Sequence, residues 1–385
     1  MCHARDARRR GAPLDADGHR LDKLSPLVKK SPLVAAVDAR DVRALDRALS
    51  KHQGKVPARV AVGAAGAAWK AGLAVLHRHN VDLNGVYKNY RPLHALIQTK
   101  PHESAAATRE RVRCLEWLLA HGADPEEMAA WPSARAMVIA AFVGERQYVD
   151  VLKRNGAKID VFTAAALADA SKVGRFLERD RTLGTSRDGG LLTALQCCAG
   201  SRLGKDDAKT AAGLVKVARL LLDAGADPNA TVKSWAHDVA VSYFVIRSGQ
   251  VEMLGLLLDR GMDPTAAVST AAWEQREDIL DRLIAHGATL DRAFDHKKPV
   301  LNELVRWGQF KQARLLLGKG ASPNIQDERG WTAIHQAVSR GNLKMLEDLM
   351  EAHGNADARD HDGRTPRDMA RAARRKDLMW VMEGS

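Results

Sequence analysis

The sequence has 385 residues, a formal net charge of +12 at pH 7 and an aromatic content of only 5%. The basic charge is compatible with an acidic protein, a nucleic acid or an anionic membrane surface as a partner. No apolar stretch is long enough to cross a bilayer, and the basic N-terminus lacks the apolar segment of a secretion signal, so we expect a cytoplasmic protein. The four cysteines have no metal-ligand or Cys-x-x-Cys spacing, which predicts reduced thiols.

Residues 1–24 are polar, basic and interrupted by glycine and proline, and we interpret them as a flexible basic N-terminal arm. Beyond this arm a four-residue motif recurs, with the pattern Gly-x-(Asp or Ser)-Pro. In each copy the glycine stands three residues after the second leucine of a Leu-Leu pair. Its copies occupy 122–125, 225–228, 261–264 and 320–323. Gly287, Gly320 and Gly354 follow one another at intervals of 33 and 34 residues. A fixed period in this range indicates stacked structural repeats, each of which needs its neighbours to bury an apolar face.

The clearest copy of the unit spans 327–350 and contains Thr332, His335 and Ala337 in a Thr-x-x-His-x-Ala pattern. The pattern and the period resemble the ankyrin repeat, and partial copies stand at 31–36, 91–95 and 365–370. The resemblance implies an all-α ankyrin-repeat solenoid of about ten helix-turn-helix repeats with short β-hairpin fingers, several of them degenerate. It implies a continuous array over 25–385, in which 360–385 form the C-terminal capping repeat.

The residues of the pattern have physical roles in such a repeat. Thr332 is expected to cap the first helix of its pair, and the Leu-Leu pair to face the core from the second helix. The glycine after that pair supplies the left-handed conformation that ends the second helix. The resemblance assigns His94 and His335 to hydrogen bonds between helix and loop, not to catalysis.

Two kinds of departure from the period are visible. The repeats that contain 98–109 and 200–211 are about ten residues too long, and we place the extra residues in the loop between the two helices. These loops either form part of a binding surface or are insertions without a function, which surface loops tolerate at little cost in stability. The segments 262–270 and 159–166 are short instead, which predicts that one helix pair follows the next there with almost no finger. An irregular set of fingers favours one specific partner shape.

In ankyrin proteins the concave groove is built from the fingers and from the exposed ends of the first helices. The positions that the resemblance carries over to these ends are Arg247, Trp273, Arg306, Trp307 and Arg340, and Trp235 and Trp331 fall on or near fingers. Tryptophan and arginine are enriched at binding hot spots, so we predict that these seven residues bind the partner. The alternative for Trp273 and Trp307, which end first helices, is packing on the neighbouring repeat. Trp117 and Trp380 lie inside second helices and are predicted to be core.

The C-terminal repeat is rich in basic residues between 364 and 376. We interpret this cluster as the polar outer face that a terminal repeat needs, with a binding patch as the alternative. The Ala- and Arg-rich composition is typical of a bacterial protein from a G+C-rich genome.

Enzyme signatures are absent: no phosphate-binding loop, no nucleophile motif and no zinc-ligand spacing is present. We therefore predict no catalytic, cofactor-binding or metal-binding residues. The function we expect is a monomeric, non-enzymatic module that binds a specific protein, with an acidic partner favoured by the charge and an immunity or inhibitor role as the first hypothesis. The alternatives are a secreted, host-directed bacterial effector, and a nucleic-acid or anionic-surface binder. No nucleic-acid motif supports the last, which disfavours a nucleic-acid partner.

Overall fold

The structure, a computed structural model, describes residues 31–99, 104–233, 238–291 and 298–383. Within these ranges the chain forms twenty-two α-helices in consecutive pairs, and the two helices of each pair pack against each other. We call them the first and the second helix of the pair. Eleven such pairs confirm the expected all-α solenoid of helix-turn-helix repeats. The predicted arm, 1–24, lies outside the described residues.

The chain divides into two compact units, Met1–Asp227 and Pro228–Ser385. In unit 1 the first helices are α1 (Pro32–Ala39), α3 (Ala58–Gly66), α5 (Pro92–Gln98), α7 (Ala136–Val143), α9 (Val161–Ala166) and α11 (Ala194–Gly200). The second helices are α2 (Val42–Ser50), α4 (Lys70–Arg78), α6 (Ala105–Ala120), α8 (Arg146–Arg154), α10 (Ala170–Arg179) and α12 (Ala208–Asp223). Each first helix packs on the first helix of the next pair, so that the core of unit 1 is a continuous layer of small and branched apolar side chains.

Unit 2 opens on an antiparallel hairpin of β1 (Thr231–Lys233) and β2 (Asp238–Ala240), in which Thr231 lies opposite Ala240. Its first helices are α13 (Val241–Ser248), α15 (Thr265–Trp273), α17 (Val300–Arg306), α19 (Ala333–Arg340) and α21 (Pro366–Ala372). Its second helices are α14 (Val251–Asp259), α16 (Glu277–Ala285), α18 (Phe310–Gly318), α20 (Leu343–Glu351) and α22 (Lys376–Glu383). The first helices again stack in chain order. The hairpin is the one finger with two paired strands among the described residues.

The two histidines of the repeat pattern are structural, as predicted. In His335, Nδ1 accepts a hydrogen bond of 3.1 Å from the backbone N–H of Thr332, while Nε2 donates at 3.3 Å to the carbonyl of Arg364 in the next repeat. His94 is fully buried and its Nε2 lies 3.0 Å from the carbonyl oxygen of Ala134. Burial lowers the pKa of His94 to about 4 and also lowers the pKa of His335, so both rings are neutral at physiological pH.

The glycines of the returning motif end the second helices in the left-handed conformation, as expected. Their φ angles are +89° at Gly122, +97° at Gly225 and +89° at Gly261. An L-residue with a Cβ rarely adopts this conformation, which explains why the motif keeps glycine at this position.

At three repeat boundaries an asparagine links the turn after a second helix to the turn of the preceding repeat, a contact that the sequence pattern did not predict. The side-chain Nδ2 of Asn84 donates to the carbonyl of Gly122 at 2.7 Å, and its Oδ1 accepts from the backbone N–H of Asp124 at 2.9 Å. Asn229 and Asn324 make the same pair of bonds one repeat further on. Each amide therefore satisfies one donor and one acceptor across a repeat boundary.

The prediction that the extra residues of two repeats form loops is wrong for half of each segment. The helices α6 and α12 each have 16 residues, whereas the intact second helix α20 has 9. The additional turns at their N-termini, from Ala105 and from Ala208, are helical because Ser104 and Asp207 cap them and because alanine, which favours the helix, recurs there. The connection before α12 is longer as well, at 201–207.

The two predicted short connections are confirmed. Only 260–264 separate α14 from α15, and only 155–160 separate α8 from α9. At the second of these, the carboxylate of Asp160 accepts a hydrogen bond from the N–H of Thr163 and starts α9 directly. No strand pair forms at either place within the described residues.

Candidate partner-binding surface

The C-terminal ends of the first helices of unit 2 form one row, because α13, α15, α17 and α19 pack side by side. We call this surface the first-helix row and define it by Arg247, Trp273, Glu274, Arg306, Trp307 and Arg340. It brings together five of the seven predicted partner-binding residues. Of the other two, Trp331 lies on a finger, and Trp235 lies outside the described residues.

Arg247 is bound within the array. Its Nη1 donates to the hydroxyl of Tyr243 at 2.6 Å, and its guanidinium lies 5.3 Å from the centre of the same ring. Its Nε stands 3.0 Å from a carboxylate oxygen of Glu274 at the end of the next first helix. This ion pair joins two neighbouring repeats, so Arg247 is half-buried and its charge is balanced locally.

Glu303 organises the most exposed part of the row. One carboxylate oxygen accepts a hydrogen bond of 3.1 Å from Arg306, and the other accepts one of 3.0 Å from the indole N–H of Trp307. The Arg306 guanidinium lies 5.6 Å from the Trp307 ring centre. Because Glu303 lies three and four residues before its partners, all three side chains share one helix face. The Trp307 side chain is held in place while 51% of the residue stays exposed.

Arg340, the remaining arginine of the row, also makes a contact between repeats. It donates to the carbonyl oxygen of Arg306 at 2.6 Å, and outside the row Arg375 donates in the same way to the carbonyl oxygen of Gly341 at 3.3 Å. A guanidinium at the carboxyl end of a helix interacts favourably with its exposed carbonyl groups. The row is therefore less basic than its composition suggests, and its exposed large apolar surface belongs to Trp307 and to Trp273, which is 38% exposed.

Trp331 is half-buried and supports the stacking of fingers. Its indole N–H donates to the carboxylate of Asp360 in the next finger at 3.2 Å, and its ring stacks on His335 with 6.0 Å between centres. The guanidinium of Arg329 covers the other side of the ring at 4.4 Å from its centre. Trp331 therefore packs on the neighbouring repeat through Asp360, and its role in partner binding stays a prediction.

The prediction that Trp117 and Trp380 are core residues is wrong. Trp380 is 74% exposed because the buried stripe of α22 runs through Leu378, Val381 and Met382, and residue 380 lies on the opposite side of the helix. Trp117 is half-buried, and its ring stacks on His121 with 4.0 Å between centres.

The basic residues of the C-terminal repeat are largely paired with acidic neighbours. The pairs are Arg364 with Asp360 and Asp362, Arg367 with Asp357, Arg371 with Asp368, and Arg375 with Asp377. These contacts favour the polar outer face over the binding patch for this cluster.

No chemical centre is found in the described ranges. No three His, Cys, Asp or Glu side chains there lie close enough to hold a metal ion, and no helix is long and apolar enough to cross a membrane. The cysteines Cys114, Cys197 and Cys198 are free and fully buried. Burial raises the pKa of Cys114 to about 12 and raises those of the other two well above the ordinary value.

We expect these three thiols to be inert in the folded protein, because the thiolate is the reactive form and burial disfavours it. In a Cys2→Ser variant at about pH 8, Ellman's reagent should release almost no thionitrobenzoate before unfolding. After denaturation in guanidinium it should release three equivalents. Rapid release of one equivalent from the native variant would show that one of the sites opens.

Residues 301–350 match the family model for ankyrin repeats present in many copies. The fold is an ankyrin-repeat solenoid. An ankyrin repeat-containing protein of Schizosaccharomyces pombe, P1E11.10, is 50% identical over 50 residues, which are 13% of this chain and 24% of that protein. One of Treponema pallidum is 37% identical over 87 residues, 22% of this chain and 29% of that protein.

The ankyrin repeat domain of human ASB11 aligns with 59% of this chain and 97% of its own length, at 17% identity and a TM-score of 0.42. The chain matches less than a third of the length of the yeast and spirochaete relatives. Their range of organisms leaves the bacterial origin of this ankyrin-repeat chain a prediction.

Two acidic residues at the first-helix row were not among the seven predicted partner-binding residues, although Glu274 falls at one of the groove positions that the resemblance carries over. Glu303 and Glu274 position the arginines and the indole, yet neither belongs to the repeat pattern. A signal for Glu303 is present in hindsight, since an acid three residues before an arginine on a helix predicts an ion pair. The ion pair of Glu274 gave no signal, because its partner lies 27 residues away in the neighbouring repeat.

Proposed function

We propose that the chain is a non-enzymatic module that binds one specific protein partner on the first-helix row of unit 2. Ankyrin repeats are in general protein–protein interaction modules, and the fold is typically a non-enzymatic scaffold. The observation that carries the proposal is the fixed and half-exposed indole of Trp307. Glu303 holds its N–H at 3.0 Å, and 51% of the residue is exposed to solvent.

Such an arrangement is suited to tight binding. Exposed tryptophans are frequent hot spots, and a side chain that is already fixed loses little rotational freedom when a partner binds. Trp273 provides a second exposed indole at the end of the neighbouring first helix. We expect the partner to place apolar groups on the two indoles and polar groups on the surrounding guanidinium and carboxylate groups.

We further propose an acidic partner and an inhibitory role. Arg306 and Arg340 are exposed and would attract an acidic partner, although Glu303 and Glu274 balance much of the charge of the row. Rigid repeats with pre-positioned side chains suit an inhibitor or immunity protein, which must hold one target tightly. This role predicts that the partner is an enzyme whose activity falls when the complex forms.

The test is an affinity pull-down from the native organism with three forms of the full chain: wild type, a Trp273→Ala/Trp307→Ala double variant, and Trp380→Ala. The last is a matched control, because Trp380 is an exposed tryptophan outside the row. We expect one protein to be retained by the wild type and the control but lost from the double variant. In a binding assay with that protein, the double variant should lose about 30-fold or more in affinity, and the control less than about twofold.

Equal retention of the same protein by all three forms would contradict the assignment of the row, and the absence of any reproducible partner would contradict the function. Thermal unfolding of the variants separates these results from misfolding. We expect unchanged unfolding curves, because all three side chains are exposed at helix ends or on the outer helix α22.

A further inference from the structure

The second helices of the two units differ sharply in charge. The six second helices of unit 1 contain sixteen Lys and Arg against six Asp and Glu, whereas the five of unit 2 contain five against ten. We propose that the exposed side of the second helices of unit 1, which we call the basic face, binds the phosphate backbone of a nucleic-acid duplex. This proposal is independent of the protein-binding function, which concerns the first-helix row of unit 2.

The basic face is best defined on the adjacent helices α10 and α12, which pack against each other. One side of α12 is buried in the core through Leu214, Val217, Ala218 and Leu221. Its exposed side carries Lys209, Lys216 and Arg219, at spacings of seven and three residues that place them on one helix face. On α10, Arg175 and Arg179 are exposed one turn apart. Five cations of two neighbouring helices therefore lie on the same side of unit 1.

These five cations are not held in ion pairs with the described residues, and a counter-charge that acts on one of them is Asp169, whose pKa Arg175 helps to lower. None of them makes a side-chain hydrogen bond or an ion pair with any part of the chain that the structure describes. The two helices contain only two acidic residues, Glu178 and Asp223. Like charges one turn apart, as at Arg175 and Arg179, repel each other, so the face is electrostatically unfavourable until an anion neutralises it.

The corresponding face of unit 2 shows the opposite design. There Lys319 contacts Glu277 and Asp281 at 2.9 and 2.6 Å, and Arg314 contacts Asp348 at 2.5 Å. Ion pairs between neighbouring second helices are thus available to this fold. Such pairs also occur elsewhere in unit 1, where Arg154 contacts Glu116 at 3.2 Å, but the five cations of α10 and α12 form none with the described residues, so they are not used to hold neighbouring repeats together.

A phosphate backbone fits this face better than a protein or a membrane does. Protein interfaces centre on apolar and aromatic anchors, and membrane-surface helices bury an apolar side. Among the described residues of the second helices of unit 1, only Val42 is a large apolar residue exposed to solvent. Backbone binding to a duplex needs lysine and arginine alone, and neighbouring helices about 8–10 Å apart would present cations at intervals along the duplex.

The test measures binding of the full chain to a fluorescent DNA duplex of about 20 base pairs, by anisotropy at about 50 and 200 mM salt. The basic-face variant is Arg179→Glu/Lys216→Glu/Arg219→Glu. The matched control, Lys311→Glu/Arg374→Glu/Lys376→Glu, changes the net charge equally at exposed positions of unit 2. We expect the wild type to bind with a steep loss of affinity on adding salt. The basic-face variant should bind at least tenfold more weakly, with a salt slope reduced by about 3, and the control should stay within about threefold.

Three results would overturn the proposal. The first is that the wild type does not bind the duplex at the lower salt concentration. The second is that both variants lose affinity equally, which would show a response to net charge alone. The third is that vesicles rich in phosphatidylserine, or polyglutamate, bind the wild type as tightly as the duplex does. Circular dichroism of both variants checks that the repeats remain folded.

Discussion

Replacing Gly190 with alanine is expected to destabilise unit 1 by about 3 kcal/mol or more. Gly190 lies in the turn before α11, and this turn packs against the loop that contains Ser133. A Cβ built on Gly190 would stand 1.8 Å from the carbonyl oxygen of Ser133 and 2.6 Å from its carbonyl carbon. Backbone atoms cannot rotate away as a flexible side chain can. The two loops would have to separate, and the Asp188 carboxylate that accepts from the N–H of Gly190 at 2.9 Å would move with them.

The adjacent glycine provides the control. A Cβ on Gly189 would meet only the flexible end of Met128, at 3.7 Å, so Gly189→Ala should change stability by less than about 0.5 kcal/mol. In thermal unfolding followed by circular dichroism, we expect Gly190→Ala to lower the unfolding midpoint by about 6–12 °C. Equal midpoints for the two variants would show that the close packing of these loops does not contribute to stability.

Replacing Arg111 with alanine is expected to cost about 2–4 kcal/mol. Arg111 lies in the additional N-terminal part of α6 and is only 4% exposed. Its Nη1 donates to the carbonyl of Leu96 at 2.8 Å, and its Nη2 donates to that of Gly66 at 3.2 Å. These carbonyls belong to the last turns of α5 and α3, which leave their acceptors unpaired and carry partial negative charge. Alanine would remove both hydrogen bonds and leave a cavity.

The control for Arg111 is Arg113, which lies two residues later in the same helix and is exposed. Arg113→Ala should change the free energy of unfolding by less than about 0.5 kcal/mol. Arg111→Lys should be intermediate, because an ammonium group cannot reach both carbonyls with the geometry of a guanidinium. Urea unfolding of the three variants checks the order, and an Arg111→Ala midpoint equal to that of Arg113→Ala would contradict the capping role.

Much of the fold could be predicted because the repeat pattern records local chemistry. The glycine of the motif at 122–125 has to adopt a left-handed conformation, and the leucines before it have to face the core, so spacing alone places the helices. The short connections at 155–160 and 260–264 could be predicted because the sequence there is shorter than one repeat period. Contacts within a repeat were therefore accessible from one sequence.

Contacts between repeats were less accessible. Arg111 occurs among other charged residues, and only the start of α6 at Ala105 turns it towards α3 and α5. The predicted arginines and tryptophans do lie together in a row. However, the guanidinium groups of Arg247 and Arg340 already contact neighbouring repeats, which the sequence did not indicate. A sequence pattern states which end of a helix a residue occupies. It does not state which atoms of the next repeat lie within reach.

The asparagine side chains that link neighbouring turns also affect where the protein deamidates. Asn84 is followed by Gly85, the neighbour that leaves asparagine most open to deamidation, because glycine does not hinder attack by the backbone nitrogen on the side-chain amide. The product would carry a carboxylate, which has no N–H for the carbonyl of Gly122 and would face that oxygen with a negative charge. The two hydrogen bonds that fix the amide oppose the reaction in the folded repeat. Asn229 and Asn324 precede bulkier residues, so among these three links deamidation should begin at Asn84.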